Sequence, residues 1–492
     1  MIPLFEIFIP VLPIFFLLIT MIVVFICIAL KLNFYNMNIV ITFFSLSCSI
    51  ALIFLGNNKG YRWYSELFII DKYSKISMFF LLLASFYTCI FSSSWIISKM
   101  YNKIEFLIFL LLSTIGGLII LISNHIATLF IGIELLFLPA LGIVGYMHNL
   151  KKTIFFTLKY MILSIFSSLM MLFGCLIIYS ATGQLCFSHI SNMFLYYPSL
   201  MLDKKILFGL ITIFISFFFK LSLFPLYLWT PDIYNCMSAF SLIYFSIATK
   251  ISIFTFLLRF LFGIPALYYC KIIYILLIIA ATCSIFFGNC MAFFQKNINR
   301  LIAYSSVTNT GYLLLILVIL LNQVERIFLE GFYIYFFGYI LSMICFFSIK
   351  SYIDYKFFYN NYYQYNNCLQ GLYWKNPILC FCMTLLLLSL AGFPFTFGFW
   401  GKFFLFRFLL HNKLWFILLI ILFSNIIGMQ CYLPIISSLF QKKYGLLDIS
   451  NVDSLLEQEY INIQYFFILF LSFLFFILGF FPQKVINIIN IF

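Results

Sequence analysis

Five ionisable side chains stand inside stretches that are otherwise apolar: Glu134, Lys159, Lys220, Lys250 and Lys402. Glu134 is the one charge in IGIELLFLPALGIVGY (131–146), and Lys250 lies mid-run in SIATKISIF (246–254). A charge near the middle of a membrane span opposes insertion by about 2.5–3.5 kcal/mol, so together these five oppose it by more than ~10 kcal/mol. Each must therefore face a partner, a water-filled cavity or a surface reached by snorkelling. Burial disfavours the charged form of an amine or a carboxylate, and several such groups joined by water conduct protons. One glutamate and four lysines suit that task better than a sodium site, which wants oxygen ligands gathered at one point.

Plainer readings stand beside the relay. Lys159 closely follows Lys151 and Lys152 and lies about two turns into its span, within snorkelling distance of the surface. Lys220 and Lys402 adjoin interrupted spans, where a lysine can satisfy freed backbone carbonyls. Lys250 and Glu134 can be the two members of a buried ion pair.

The elements that hold these residues follow from composition. The chain has 492 residues, 65% hydrophobic and 9% charged, with a mean hydropathy of +1.14. An ordinary soluble domain carries about 25% charged residues, so this is a polytopic membrane protein. Apolar runs predict about fourteen spans, near 8–31, 38–55, 75–97, 104–123, 125–146, 153–179, 205–228, 238–260, 270–290, 300–321, 327–350, 377–408, 414–440 and 460–482. The widest gaps, around 180–204 and 351–376, are expected to be loops, and 1–492 to form one membrane domain. IPVLPIFFLLITMIVVFICIALK (9–31) is too long for a signal-peptide core and lacks a basic leader, so it is expected to be a retained first helix. Lys and Arg divide nearly evenly between the two sets of loops, which leaves orientation unset.

Two spans carry proline in mid-course: FKLSLFPLYLWTPD (219–232), with Pro225, and LAGFPFTFGFWGKF (390–403), with Pro394. Both follow Phe-Pro with aromatic residues and a tryptophan, Trp229 or Trp400. Paired broken helices in two halves of a chain point to an internal repeat with an ion path at its interface.

Other chemistries find little support. The net charge of +14 comes from dispersed lysines suited to lipid headgroups, with no basic patch for nucleic acid. The 14 cysteines lack zinc or iron–sulfur spacing and read as small buried hydrophobes. No dinucleotide or phosphate loop is present, and His125, His148, His189 and His411 fall near span ends or in loops, away from haem-ligand positions. The 69 Phe and 33 Tyr, with abundant Ile and Asn, read as the codon usage of an AT-rich, reduced genome.

Long stretches resemble one family. They are SNHIATLFIGIELLFLPALGIVGY (123–146), TLKYMILSIFSSLMMLFG (157–174), FKLSLFPLYLWTPDIY (219–234), FGNCMAFFQKNINRLIAYSSVTNTGYLL (287–314), GLYWKNPIL (371–379) and LLLLSLAGFPFTFGFWGKF (385–403). They are similar to the antiporter-like N subunits (mitochondrial chain 2) of the proton-pumping NADH:quinone oxidoreductase, respiratory complex I, in its bacterial form. The resemblance implies an all-α polytopic protein of about 14 transmembrane helices. It implies two inverted five-helix repeats, 104–260 and 270–440, with the seventh and twelfth helices broken and 1–97 and 460–492 flanking. It further implies that Glu134 pairs with Lys159, and that protons pass through Lys220 and Lys250 to Lys402. No cofactor is implied in this chain; NADH, FMN, iron–sulfur clusters and quinone belong to partner subunits. The implied partners are the other membrane subunits, in the bacterial inner membrane.

Three departures qualify this. Asn235-Cys236-Met237-Ser238-Ala239-Phe240 stands where the family shows a proline-rich run, and Tyr227 and Asn309 stand where bacterial members usually carry histidine. Neither side chain exchanges protons near neutral pH, so the relay runs through water there or is degraded. A subunit of a multi-component sodium/proton antiporter and a non-pumping scaffold subunit are the competing readings.

Overall fold

A hydrocarbon interior leaves the backbone no water to bond, so a chain this apolar must satisfy its amides within helices. The computed structural model describes residues 11–30, 35–55, 63–97, 105–146, 151–196, 203–264, 270–322, 326–359, 369–441 and 455–484, and it is helical almost throughout. In chain order the helices are α1 (Leu12–Ala29), α2 (Tyr35–Leu55), α3 (Lys72–Ile97), α4 (Glu105–Ile122), α5 (Ile126–Gly145), α6 (Lys151–Thr182), α7 (Phe187–Tyr196) and α8 (Lys204–Leu221). There follow α9 (Trp229–Cys236), α10 (Ala239–Gly263), α11 (Lys271–Phe293), α12 (Ile298–Asn322), α13 (Arg326–Tyr359), α14 (Leu372–Lys375), α15 (Pro377–Ala391), α16 (Phe397–His411), α17 (Trp415–Phe440) and α18 (Leu455–Phe480).

Twelve of the described helices are long and apolar enough to cross a bilayer. The other two predicted spans are both interrupted: 205–228 is α8 and a turn that leads into α9, while 377–408 is α15, a turn and then α16. The protein is therefore an all-α, multi-pass membrane protein, with one small exception. Strands β1 (Trp63–Tyr64) and β2 (Ile69–Ile70) form a two-residue antiparallel ribbon, and single bridges join Phe68 to Ser123 and His125 to Cys186.

Two expected loops are corrected. The gap at 180–204 contains the ten-residue α7, whose buried Ile190 and Phe194 lie one turn apart on a single face. The gap at 351–376 is shortened because α13 runs on to Tyr359 and α14 follows at Leu372. Polar and tyrosine-rich sequence concealed both, since neither is an uninterrupted apolar run.

The interior is built from a few fully surrounded helices. The whole apolar window of α10 is buried, as is 94% of that of both α12 and α13, against 28% for α1 and α17. Around this centre α4 packs on α5, α6 on α8, α11 on α12 and α3 on α10. Small residues let some of these backbones approach closely. Gly116 of α4 lies against the backbone of Leu135 and Leu136, where Pro139 has no N–H to give the Leu135 carbonyl. That contact fixes the turn of α5 that carries Glu134.

The breaks follow from local chemistry. At Ser222 the backbone turns left-handed (φ 59°), and the N–H of Leu223 reaches back to the Phe218 carbonyl at 2.8 Å, closing α8. The indole of Trp229 donates at 3.1 Å to the Phe219 carbonyl, which also accepts the Ser222 N–H at 3.0 Å. At the second break Gly392 (φ 85°) ends α15, and its N–H and that of Phe393 both bond the Leu388 carbonyl at 3.0 Å. Trp400, the apparent counterpart of Trp229, instead donates at 2.8 Å to the Gly479 carbonyl of α18. The two similar motifs thus spend their tryptophans differently.

Candidate functional site

Each predicted residue sits on a helix whose packing decides what it meets. Lys220 is in the last turn of α8 and is 1% exposed, its Nζ 4.0 Å from the centre of the Phe137 ring. Phe137 is one turn beyond Glu134 on α5, and Glu134 itself lies close enough to attract the Lys220 ammonium. One oxygen of Glu134, Oε1, is buried with no hydrogen-bond partner among the described residues.

Lys250, at the middle of the buried α10, donates to Tyr339 Oη of α13 at 2.7 Å and also lies over that ring. Tyr339 in turn donates to the Ser246 carbonyl, one turn before Lys250, at 3.3 Å. Lys402, in the first turns of α16, donates to the Ala391 and Leu390 carbonyls at 2.9 and 3.3 Å, while its Nζ lies over the Tyr312 ring. These are the carbonyls that the second break freed, so Lys402 does what the plainer reading expected of it. Gly392 is needed there twice: for its positive φ, and because a Cβ would stand 2.7 Å from Lys402 Cδ.

Lys159 departs from expectation. It does not bond Glu134; its Nζ is 2.9 Å from Asp232 Oδ2, with Lys159 45% and Asp232 23% exposed. Arg300 of α12 approaches the other oxygen of Asp232 at 3.9 Å. The reason is geometric. The break before α9 places Asp232 in that helix's first turn, where a carboxylate also favours the helix dipole, beside the outward face of α6. Asp232 and Arg300 were both missed as site residues, although Asp232 was in plain view in the WTPD motif beside a broken span.

Two further polar sites escaped the sequence reading. Lys350, at the end of a predicted span, is buried, bonds Asn299 Oδ1 and has Asp354 one turn on. A cavity of about 20 Å³ is lined by Asn309, Tyr335, Tyr339, Ser342, Ser389 and Lys402. Tyr339, whose phenol holds Lys250, and Lys402 both line it. Tyr339 is one of 33 tyrosines, and nothing in its local sequence marks it out.

The departures from the family pattern also have places. Asn309 accepts from the Tyr335 hydroxyl at 2.8 Å, and Tyr227 packs edge-on to Tyr304 beside the Asp232–Arg300 cluster. In the run 235–240, Ser238 is the N-cap of α10, its hydroxyl paired with that of Ser241 at 2.7 Å. Among the histidines, His125 caps α5 by accepting from the Ala127 N–H, His189 bonds Gln184, and His411 ends α16. His148 lies outside the described residues. Among the described residues no three His, Cys, Asp or Glu side chains gather as metal ligands would.

Comparisons with known proteins cover the stretch of chain that carries these residues. The family described as NADH:quinone oxidoreductase/Mrp antiporter, transmembrane, matches residues 123–428, well over half of the chain. The chain belongs to that family. Within this NADH:quinone oxidoreductase/Mrp antiporter family, it is 35% identical over 434 residues to the NADH-quinone oxidoreductase subunit N of Buchnera aphidicola subsp. Schizaphis graminum (strain Sg), covering 87% of this chain and 86% of that one. Two solved structures share its fold. One is a chain of respiratory complex I from Thermus thermophilus, at TM-score 0.75 and 20% identity, covering 96% of this chain and 98% of that one. The other belongs to an archaeal membrane-bound sulfane sulfur reductase, at TM-score 0.82 and 20% identity, covering 98% and 96%. The fold is thus common to respiratory complexes of different chemistry, and the matched region contains Glu134, Lys159, Lys220, Lys250 and Lys402 together with Asp232.

Proposed function

We propose that this chain is the proton-translocating membrane subunit N of a bacterial NADH:quinone oxidoreductase, respiratory complex I. Electrons pass from NADH through FMN and iron–sulfur clusters to quinone in partner subunits, and this chain, held among the other membrane subunits of the inner membrane, moves protons. One observation carries the reading. Lys220, Lys250 and Lys402 are held by a ring face, a phenol and backbone carbonyls, and among the described residues none of the three forms an ion pair. Lys220 and Lys250 are buried and Lys402 partly so, and the one carboxylate near them among the described residues, Glu134, reaches Lys220 alone, so the three ammonium groups cannot all keep their charge cheaply and the set is suited to passing a proton along.

In this reading 104–260 and 270–440 are the two antiporter-like repeats, flanked by 1–97 and 460–492, and Pro225 and Pro394 mark their broken helices. Glu134 acts on Lys220, its neighbour here, while Lys159 is held back by Asp232 and Arg300 at the edge of the domain. A quinone-driven shift that draws Lys159 off Asp232 changes the field at the head of the row. A proton then moves through Lys220 and Lys250 to Lys402.

The test is proton uptake per NADH oxidised in membrane vesicles, comparing the parent complex with Lys250→Met and Lys159→Met. Loss of this subunit's share of pumping, with assembly and NADH oxidation intact, is the expected result. Unchanged pumping in Lys250→Met would make the chain a scaffold.

A further inference from the structure

We infer that Tyr339 relays the proton between Lys250 and Lys402, through one water in the cavity between them, in place of the side-chain base that position 309 lacks. This rests on the function proposed above and assigns its central step to a residue of α13.

The cavity's own hydrogen bonds single out this hydroxyl. Tyr335 is committed to Asn309 Oδ1 at 2.8 Å, Ser342 to the Tyr339 carbonyl at 2.8 Å and Ser389 to the Leu386 carbonyl at 2.9 Å. Tyr339 alone among these four hydroxyls gives its proton to a distant acceptor, the Ser246 carbonyl at 3.3 Å, well beyond the usual ~2.7–2.8 Å for O–H···O. Its oxygen meanwhile accepts from Lys250 at 2.7 Å. A small rotation of the hydroxyl hydrogen re-aims it from Ser246 into the cavity.

The space suits one carrier. At about 20 Å³ the cavity exceeds the ~10–15 Å³ that a single water requires, and its lining supplies several polar partners. Lys402 is fitted to receive. As an ammonium it has three donors, of which two hold Ala391 and Leu390; as an amine it keeps both of those bonds and has a lone pair to offer.

The transfer balances without ionising the phenol. One proton leaves Lys250 Nζ for Tyr339 Oη as the phenol's own proton passes to the water, and a proton of that water passes to Lys402 Nζ. Lys250 ends neutral and Lys402 charged, while Tyr339 and the water are unchanged in composition. A phenol whose ordinary pKa is about 10 takes part because the exchange is concerted, with no phenolate left standing.

The test compares proton uptake per NADH in vesicles of the whole complex carrying Tyr339→Phe, Lys250→Met, or Tyr339→Phe with Asn309→His. Tyr339→Phe is expected to lose pumping to the level of Lys250→Met, with NADH oxidation retained. Asn309→His is expected to restore it by placing an exchangeable imidazole on the cavity wall. Pumping at the parent level in Tyr339→Phe but lost in Lys250→Met overturns the inference and leaves the proposed function standing; parent-level pumping in both overturns the two together. Loss in Tyr339→Phe without rescue by Asn309→His reduces Tyr339 to a positioning residue and also overturns the relay. Should Tyr339→Phe fail to assemble, 3-fluorotyrosine at 339 keeps the shape and hydroxyl but alters its acidity. A shifted pH profile of pumping then supports the relay, and an unmoved one refutes it.

Discussion

Replacing Gly392 by alanine tests whether Lys402 holds the second break together. Gly392 has φ 85°, and an added Cβ would stand 2.7 Å from Lys402 Cδ and 3.0 Å from its Nζ. A non-glycine residue in the left-handed region costs about 1–2 kcal/mol. The clash also drives Lys402 off the Ala391 and Leu390 carbonyls, and a hydrogen bond from a charged donor contributes about 1.5–3 kcal/mol. The expected cost for Gly392→Ala is therefore about 2.5–5 kcal/mol. Gly183→Ala is the matched control: Gly183 follows α6 at φ 66°, and nothing lies within 4 Å of its added Cβ, so only the backbone strain of about 1–2 kcal/mol remains. The difference of about 1.5–3 kcal/mol corresponds to roughly 10- to 150-fold in an opening equilibrium. Hydrogen exchange of peptides spanning 385–396 and 177–188 in the solubilised complex reads both openings. Equal acceleration in the two variants, or none in Gly392→Ala, would refute the role given to Lys402.

Further outcomes follow from the same contacts. Asp232→Asn removes the partner of Lys159 and leaves Lys159 and Arg300 as neighbouring positive charges, so it should change pumping strongly in the parent. It should change it little in a Lys159→Met background, and equal effects in both backgrounds would separate the two residues. Trp229→Phe removes one of the two donors to the Phe219 carbonyl, leaving the Ser222 N–H at 3.0 Å, and should lower stability by about 0.5–1.5 kcal/mol, seen as faster thermal inactivation of the complex. Trp400→Phe should instead loosen α18, which protease accessibility of the C-terminal segment would register.

The division between what sequence and structure supply shows best at particular residues. The twelve membrane-length helices among the described residues and the two interrupted spans were legible because hydrocarbon imposes one length on a helix and one penalty on a proline. The lysines were legible for the same reason, since a charge in an apolar run is conspicuous wherever it points. Helix α7 was not, because ten mixed residues carry no run.

Partners were beyond reach. The resemblance implied Glu134 for Lys159, yet Lys159 bonds Asp232, 73 residues away, and Lys250 bonds Tyr339, 89 residues away. Sequence by itself determined that this protein is a bundle of membrane helices with buried amines at its breaks and at its centre, because transfer from water is a property of each residue alone. Only the tertiary structure decided which amine meets a carboxylate, which a carbonyl and which a phenol beside a water-sized cavity, because those contacts depend on how distant helices rotate and cross.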